Sequence, residues 1–169
     1  MNIYKQVLVI IFNLFAVSLI YGYGVSKNEV LILKDTQVVY LGESIQELYN
    51  SHGQPLKTTI DSFISNSDWD SICLEYNDFN VSYFKITQKL RQIETKGNHF
   101  KIKLQKVTLY AGMDIKQVED LIGIQNLYNL NSEHTEKVLL CELPDFVEAY
   151  LFFNHEDKLK KVVFGYQEM

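Results

Sequence analysis

Two stretches of the chain, Gly42 to Gly53 and Gly112 to Gly123, share one design at an offset of 70 positions, and that design limits what can surround them. Both read Gly-x-[Ser/Asp]-Ile, then seven residues, then Gly. Ser44 and Asp114 are good N-caps, because their side-chain oxygens accept from an orphan amide of the first helical turn. Three residues on, Glu47 and Gln117 complete a capping box. Apolar residues then recur at helical spacing: Ile45, Leu48 and Tyr49 in the first stretch, Ile115, Val118 and Ile122 in the second. The spacing predicts two short amphipathic helices, each stopped by a glycine that adopts the left-handed conformation without steric cost.

What flanks the helices reads as strand. Glu29 to Leu33 and Gln37 to Tyr40 precede the first; Gln54-Pro55 prevents it from continuing. Ser62 to Asp70 reads as a loop. Ser71 to Tyr76, Phe79 to Ile86 and Leu90 to Thr95 are short runs rich in aromatic and branched residues and bounded by turn formers, the pattern of an antiparallel meander. The second half repeats the order: an alternating run at Phe100 to Tyr110, the helix, a polar loop at Ile124 to Thr135, then strands at Lys137 to Leu143, Phe146 to Asn154 and Leu159 to Tyr166. Cys73 to Phe79 lies over Leu140 to Phe146, and Lys89 to Ile93 over Lys158 to Val162, at offsets of 67 and 69. Three blocks in one order predict an internal duplication. The expected fold is α+β: two tandem repeats, residues 25–104 and 105–169, each a short helical segment packed on an antiparallel meander sheet.

Residues 1–24 differ in kind. Lys5 precedes Val7 to Ile20, which is apolar except for Asn13 and Ser18, and Gly22-Tyr23-Gly24 supplies small residues at alternate positions. This is the pattern of a signal peptide cleaved after Gly24. The same residues also suit an uncleaved N-terminal anchor, since Gln6 to Ser26 is long enough to span a bilayer and would associate the chain with a membrane. Both readings export the rest of the chain, to the periplasm or cell envelope or as a secreted protein. Export permits disulfides. Cys73 and Cys141 therefore have three open fates: a bridge to each other, two buried small apolar residues, or a reactive thiol.

A net charge of -5 and a pI near 5.4 disfavour a nucleic-acid partner, which needs a concentrated basic surface. Lys101, Lys103 and Lys106 alternate with apolar residues as on the wet side of a strand. The histidines His52, His99, His134 and His155 lack ligand spacing to one another or to a cysteine, so no metal site is expected. Asp68-Trp69-Asp70 has too few oxygens and no turn glycine for calcium. No phosphate-binding glycine loop, dinucleotide fingerprint or nucleophile elbow occurs. The expectation is a chain with no cofactor and no catalytic residues.

The residues Gly112-Met113-Asp114, Gln117-Val118 and Leu121-Ile122-Gly123, followed by a variable loop, an aliphatic strand and a strand ending in aromatics before a charged turn, resemble the β-lactamase inhibitory protein fold. That superfamily includes the small outer-membrane assembly lipoproteins (BamE, SmpA/OmlA). The resemblance implies helical hairpins on four-stranded sheets that join and offer a concave face to a protein partner. This chain departs from it with one cysteine per repeat instead of a pair, and with Glu43 where the motif prefers methionine.

The aromatic content, with 11 tyrosines and 10 phenylalanines, locates a candidate face. Strands alternate sides, so Val147, Ala149, Leu151 and Phe153 point one way and Glu148, Tyr150 and Phe152 the other. The first set reads as core. Tyr150 and Phe152, joined by Tyr83 (set over Tyr150), Tyr76 and the loop residue Trp69, form the expected partner-binding set, because tyrosine-rich faces favour protein interfaces. The expected function is a non-catalytic exported protein-binding module, inhibitor-like or envelope-assembly-like, with a protein partner. The alternatives are an envelope scaffold held by its N-terminal segment and, less favoured, an enzyme.

Overall fold

The computed structural model describes residues 29–33, 37–61, 70–123, 127–130, 137–144 and 147–166. The expected signal or anchor segment and the Trp69 loop lie outside them. Among the described residues, twelve strands and two helices follow in the order β1 (Glu29–Leu33), β2 (Gln37–Tyr40), α1 (Ile45–His52), β3 (Lys57–Asp61), β4 (Ser71–Glu75), β5 (Phe79–Phe84), β6 (Leu90–Thr95), β7 (Lys101–Leu104), β8 (Val107–Tyr110), α2 (Ile115–Ile122), β9 (Leu127–Leu130), β10 (Lys137–Leu143), β11 (Val147–Phe153) and β12 (Leu159–Tyr166).

The capping signals do what their chemistry predicts. The Ser44 amide donates to Glu47 Oε2 at 2.6 Å and the Glu47 amide donates to Ser44 Oγ at 3.2 Å. In α2 the Asp114 amide donates to Gln117 Oε1 at 3.1 Å. Gly53 and Gly123 close the helices at φ of 77° and 88°. Helices of eight residues are marginal alone. Leu48 and Val118, both fully buried, tie them to the core.

All strand pairings are antiparallel, and they build two sheets: a small one ordered β2-β1-β7-β8 and an eight-stranded one ordered β3-β4-β5-β6-β12-β11-β10-β9. This corrects the expected fold class. Although the order strand, strand, helix, then four strands occurs in both halves, neither half closes on itself. The pairing of β6 with β12 joins residues 25–104 to residues 105–169, and β1 pairs with β7, which opens the second round of this element order although it falls inside the expected first repeat. The result is two shared sheets with two short helices, not two helix-on-meander repeats. Local pattern reports which segments are strands, but partners are chosen by long-range burial.

Two local expectations also change, and one unanticipated strand appears. Phe100 to Tyr110 is a hairpin, because Gln105 takes φ of 55° and turns the chain without a glycine. Leu127–Leu130, inside the expected polar loop, is strand β9, paired to β10. Lys57–Asp61 is the edge strand β3, and its five residues are all exposed, so no alternation marks it in the sequence.

One apolar cluster takes in Leu31, Val39, Ile102 and Leu109 of the small sheet, Leu48 and Val118 of the helices, and Val81, Ile93, Leu151 and Phe164 of the large sheet. The core therefore lies on one side of the large sheet, under the small sheet and the helices. Among the described residues no element packs on the other side, the open side from here on. Lys101 and Lys103 are exposed, as expected of a wet strand side.

Both halves anchor the helix entrance to a bulge. β5 and β6 pair Ser82 with Gln92 and Tyr83 with Leu90, leaving Arg91 extra; β11 and β12 pair Phe152 with Lys161 and Phe153 with Leu159, leaving Lys160 extra. Next to each bulge, the Gly42 amide donates to the Leu90 carbonyl and the Gly112 amide to the Leu159 carbonyl, both at 2.8 Å. Such extra residues bend and twist a strand and redirect the side chains around them.

Candidate functional site: the open face of the large sheet

β11 sets the alternation. Val147, Ala149, Leu151 and Phe153 are buried, while Glu148, Tyr150 and Phe152 are half-buried on the open side. Register then fixes their neighbours. One row runs across the sheet from Leu140 through Tyr150, Val163, Glu94, Asn80 and Glu75 to Lys57. The face is thus divided: the β10–β12 half carries the apolar and aromatic side chains, with Glu142, Glu148 and Lys161 among them, and the β3–β6 half is mostly polar.

Where the two halves meet, Lys161 Nζ of β12 reaches Glu94 Oε1 of β6 at 3.2 Å and sits 4.3 Å from the Phe152 ring centroid. Asn80 Nδ2 donates to Glu94 Oε2 at 3.1 Å, and Lys96 Nζ pairs with Glu75 at 2.8 Å. Arg91, 8% exposed, donates from Nη1 to Ser71 Oγ at 3.2 Å and lies over Phe84. Around these groups is a depression of about 390 Å³, floored in part by Cys73, Ser82 and Gln92.

A smaller depression of about 160 Å³ lies at the junction with the apolar half, around Gly165. Gly165 is demanded by close approach: a Cβ there would stand 2.7 Å from the Arg91 carbonyl oxygen. Its neighbours are Glu148, which accepts from the Tyr150 hydroxyl at 2.8 Å, and Val163. That hydrogen bond, and then burial, raise the Tyr150 phenol above its ordinary value.

The expected partner-binding set divides. Tyr150 and Phe152 stand on the open face. Tyr83 and Tyr76 do not, and this corrects their placement: Tyr83 is 0% exposed and Tyr76 7%, both in the core. Tyr76 stacks on Phe79 at 4.6 Å and donates to the Gly53 carbonyl at 3.1 Å. The physical reason is register. Setting Tyr83 over Tyr150 uses an offset of 67, whereas the bulges match Tyr83 to Phe153 at an offset of 70. An odd slip of three moves a side chain to the opposite side of a sheet. Trp69 lies outside the described residues. Glu148 stands on the open side with Tyr150 and Phe152, as the alternation of its strand predicts. Leu140 and Glu142 were not anticipated, because they join the face only through the register of β10 with β11. Val163 was hidden because alternation along β12 breaks at Lys160.

The thiols have no redox partnership. Cys73 is on the open side of β4, where its Sγ donates to Asp61 Oδ2 at 3.2 Å, and Cys141 is buried on the core side of β10. They are free, on opposite faces and several strands apart, so the bridge is excluded. Desolvation, and for Cys73 then the Asp61 contact, pushes both thiols up to about 11. Both stay protonated at neutral pH, which is the inert condition for cysteine. Among the described residues no group of His, Cys, Asp and Glu is arranged to hold a metal ion, and no helix is long and apolar enough to cross a membrane. His52 packs edge-on against Phe79 at 5.5 Å, and burial lowers its pKa.

No protein-family model matches the chain. No curated protein matches it either. Among solved structures it is similar to an extracellular protein containing a SCP domain from Bacillus anthracis strain Ames, at 14% identity and a TM-score of 0.51, over 75% of this chain and 44% of that one. It also matches a cysteine-rich secretory protein from Staphylococcus aureus strain Mu50, at 14% identity and a TM-score of 0.47, over 76% of this chain and 45% of that one. The chain spans less than half the length of either. The resemblance to β-lactamase inhibitory proteins and BamE-like lipoproteins is therefore withdrawn: a capped helix closed by glycine and followed by strands specifies a local element that many folds share. At this identity the likeness is one of fold alone, to part of an SCP-domain-containing extracellular protein.

Proposed function

We propose that the chain is an exported, non-catalytic protein-binding module that engages a protein partner through the open side of its large sheet. The observation that carries this reading is the patch of Leu140, Tyr150, Phe152 and Val163, side by side on adjacent strands and only half-buried, on a sheet whose other side is already covered. A contiguous apolar patch rimmed by polar groups is the mark of an interaction site. Tyrosine and phenylalanine supply much area at small entropic cost. The two thiols, held protonated, offer no activated nucleophile. Export is supported by the apolar run Val7 to Ile20 and by the extracellular character of the similar Bacillus protein. The choice between periplasm or envelope and full secretion belongs to the fate of residues 1–24.

The test is to purify the chain from its native envelope with whatever protein accompanies it and to compare parent with Tyr150→Ala/Phe152→Ala. The proposal expects the partner's affinity to fall about tenfold or more, as for the loss of central aromatic anchors. Unchanged affinity overturns it.

A further inference from the structure

Across the β10–β11 pair, Glu142 stands directly opposite Glu148 on the open side of the sheet. Like charges in that position destabilise a sheet. Among the described residues no cation forms an ion pair with either; Glu148 is held only by the Tyr150 hydroxyl. The next strand gives no relief, because the residue opposite Glu148 is Gly165. The row Glu142, Glu148, Gly165, Gln92 therefore has a gap, and the gap is the smaller depression, walled by Tyr150 and Val163. Of the nearby cations, Arg91 also lines this depression, with its Nη1 on Ser71 Oγ and its guanidinium over Phe84, and Lys161 pairs with Glu94.

We propose that the apolar half of the face recognises a basic amphipathic polypeptide segment of its protein partner. A lysine or arginine of that segment enters the Gly165 depression beside Glu148, and its apolar neighbours cover Leu140, Tyr150, Phe152 and Val163. This rests on the open face being the docking surface, and charge complementarity selects the occupant. A second copy of this chain fits poorly: its net charge is -5, and face-to-face association would oppose the same carboxylates. Two unrelieved acids beside an aromatic patch favour a cation with an apolar flank, and the Tyr150 ring adds a cation–π surface.

The test uses the full chain, labelled with nitrogen-15, and two short capped peptides, one alternating lysine with leucine and the other glutamate with leucine. Binding is followed by amide shifts. The lysine peptide is expected to move amides of β10, β11 and β12 around Glu142, Tyr150 and Gly165, and the glutamate peptide to bind at least about tenfold more weakly. Glu142→Gln with Glu148→Gln is expected to weaken the lysine peptide about fivefold or more while leaving the free protein's melting temperature equal or higher, because a repulsion is removed. A merely structural role for the pair predicts the opposite change in melting temperature. Three outcomes are decisive against the proposal. If the double glutamine variant binds as the parent does while Tyr150→Ala/Phe152→Ala does not, the face stands and the basic partner falls. If both variants bind as the parent does, both readings fall. If the two peptides bind equally, charge selection falls.

Discussion

Glu43 and Tyr83 place a carboxyl oxygen and a phenol hydroxyl in the same core, and among the described residues neither atom has a hydrogen-bond partner. Glu43 is 3% exposed and Tyr83 wholly buried. Burial, followed by the negative charge of Glu47, raises the Glu43 carboxyl from its ordinary 4.5 to about 8. The matching position of the second half holds Met113, also buried, as an apolar filler. A carboxyl whose folded pKa is raised binds its proton more tightly folded than unfolded. Its contribution to stability is therefore full below about pH 4.5 and is lost progressively as pH rises towards about 8. Each unit corresponds to about 1.4 kcal/mol, so the loss across the window is on the order of a few kcal/mol. Urea unfolding at pH 5 and pH 9 measures it. Glu43→Met is expected to flatten the slope and to raise stability above the parent at alkaline pH. An unchanged slope in that variant assigns the pH dependence to other groups.

Gly165→Ala tests the close approach of β12 to β6. A Cβ would meet the Arg91 carbonyl at 2.7 Å and the Gln92 Cα at 3.0 Å, both backbone atoms that do not swing aside. The two central strands must part, at a cost of about 2–3 kcal/mol. Denaturant midpoints check this. A loss under about 0.5 kcal/mol, the level of an ordinary surface change, contradicts the geometry.

Capping is tested by Ser44→Ala, which removes one hydrogen bond to the Glu47 amide and another to its carboxylate. The expected loss is about 1 kcal/mol, read from thermal unfolding. In this variant the Glu47 carboxylate, held low first by the Ser44 amide and next by its hydroxyl, rises towards its ordinary range. A carbon-13 titration of Glu47 that does not move contradicts the Ser44 hydroxyl as one of its causes.

The cysteines give a chemical test. Cys73 is half-exposed and Cys141 buried, and both thiols are pushed up to about 11. Alkylation by iodoacetamide at pH 7 is expected to be at least about tenfold slower than for a free thiol, with Cys73 reacting first as pH is raised and Cys141 only on unfolding. Rapid labelling of Cys141 in the folded protein contradicts its place in the core.

Local chemistry made the two helices readable: caps, apolar spacing and terminal glycines all act within a few residues. The alternation of β11 was readable for the same reason, and it placed Tyr150 and Phe152 on the open side. What escaped depends on pairing. Arg91 and Lys160 are extra residues in their strands only relative to the strands beside them, so nothing in their own neighbourhood marks the bulges. Missing them set Tyr83 over Tyr150 when its structural counterpart is Phe153, and moved a core tyrosine to the surface. The sharing of both sheets between halves was hidden likewise, since the β1–β7 and β6–β12 pairings join segments about 70 residues apart. Edge strand β3, exposed throughout, has no periodicity to read.

The most direct measurement is site-specific photo-crosslinking in cells that produce the protein and in their medium, with benzoylphenylalanine placed at Phe152 on the open side of the large sheet or at Lys103 on the exposed side of the small one. The account predicts one discrete protein adduct from position 152, lost when Tyr150→Ala is added, and none from position 103. An adduct formed from 103 and not from 152 contradicts it.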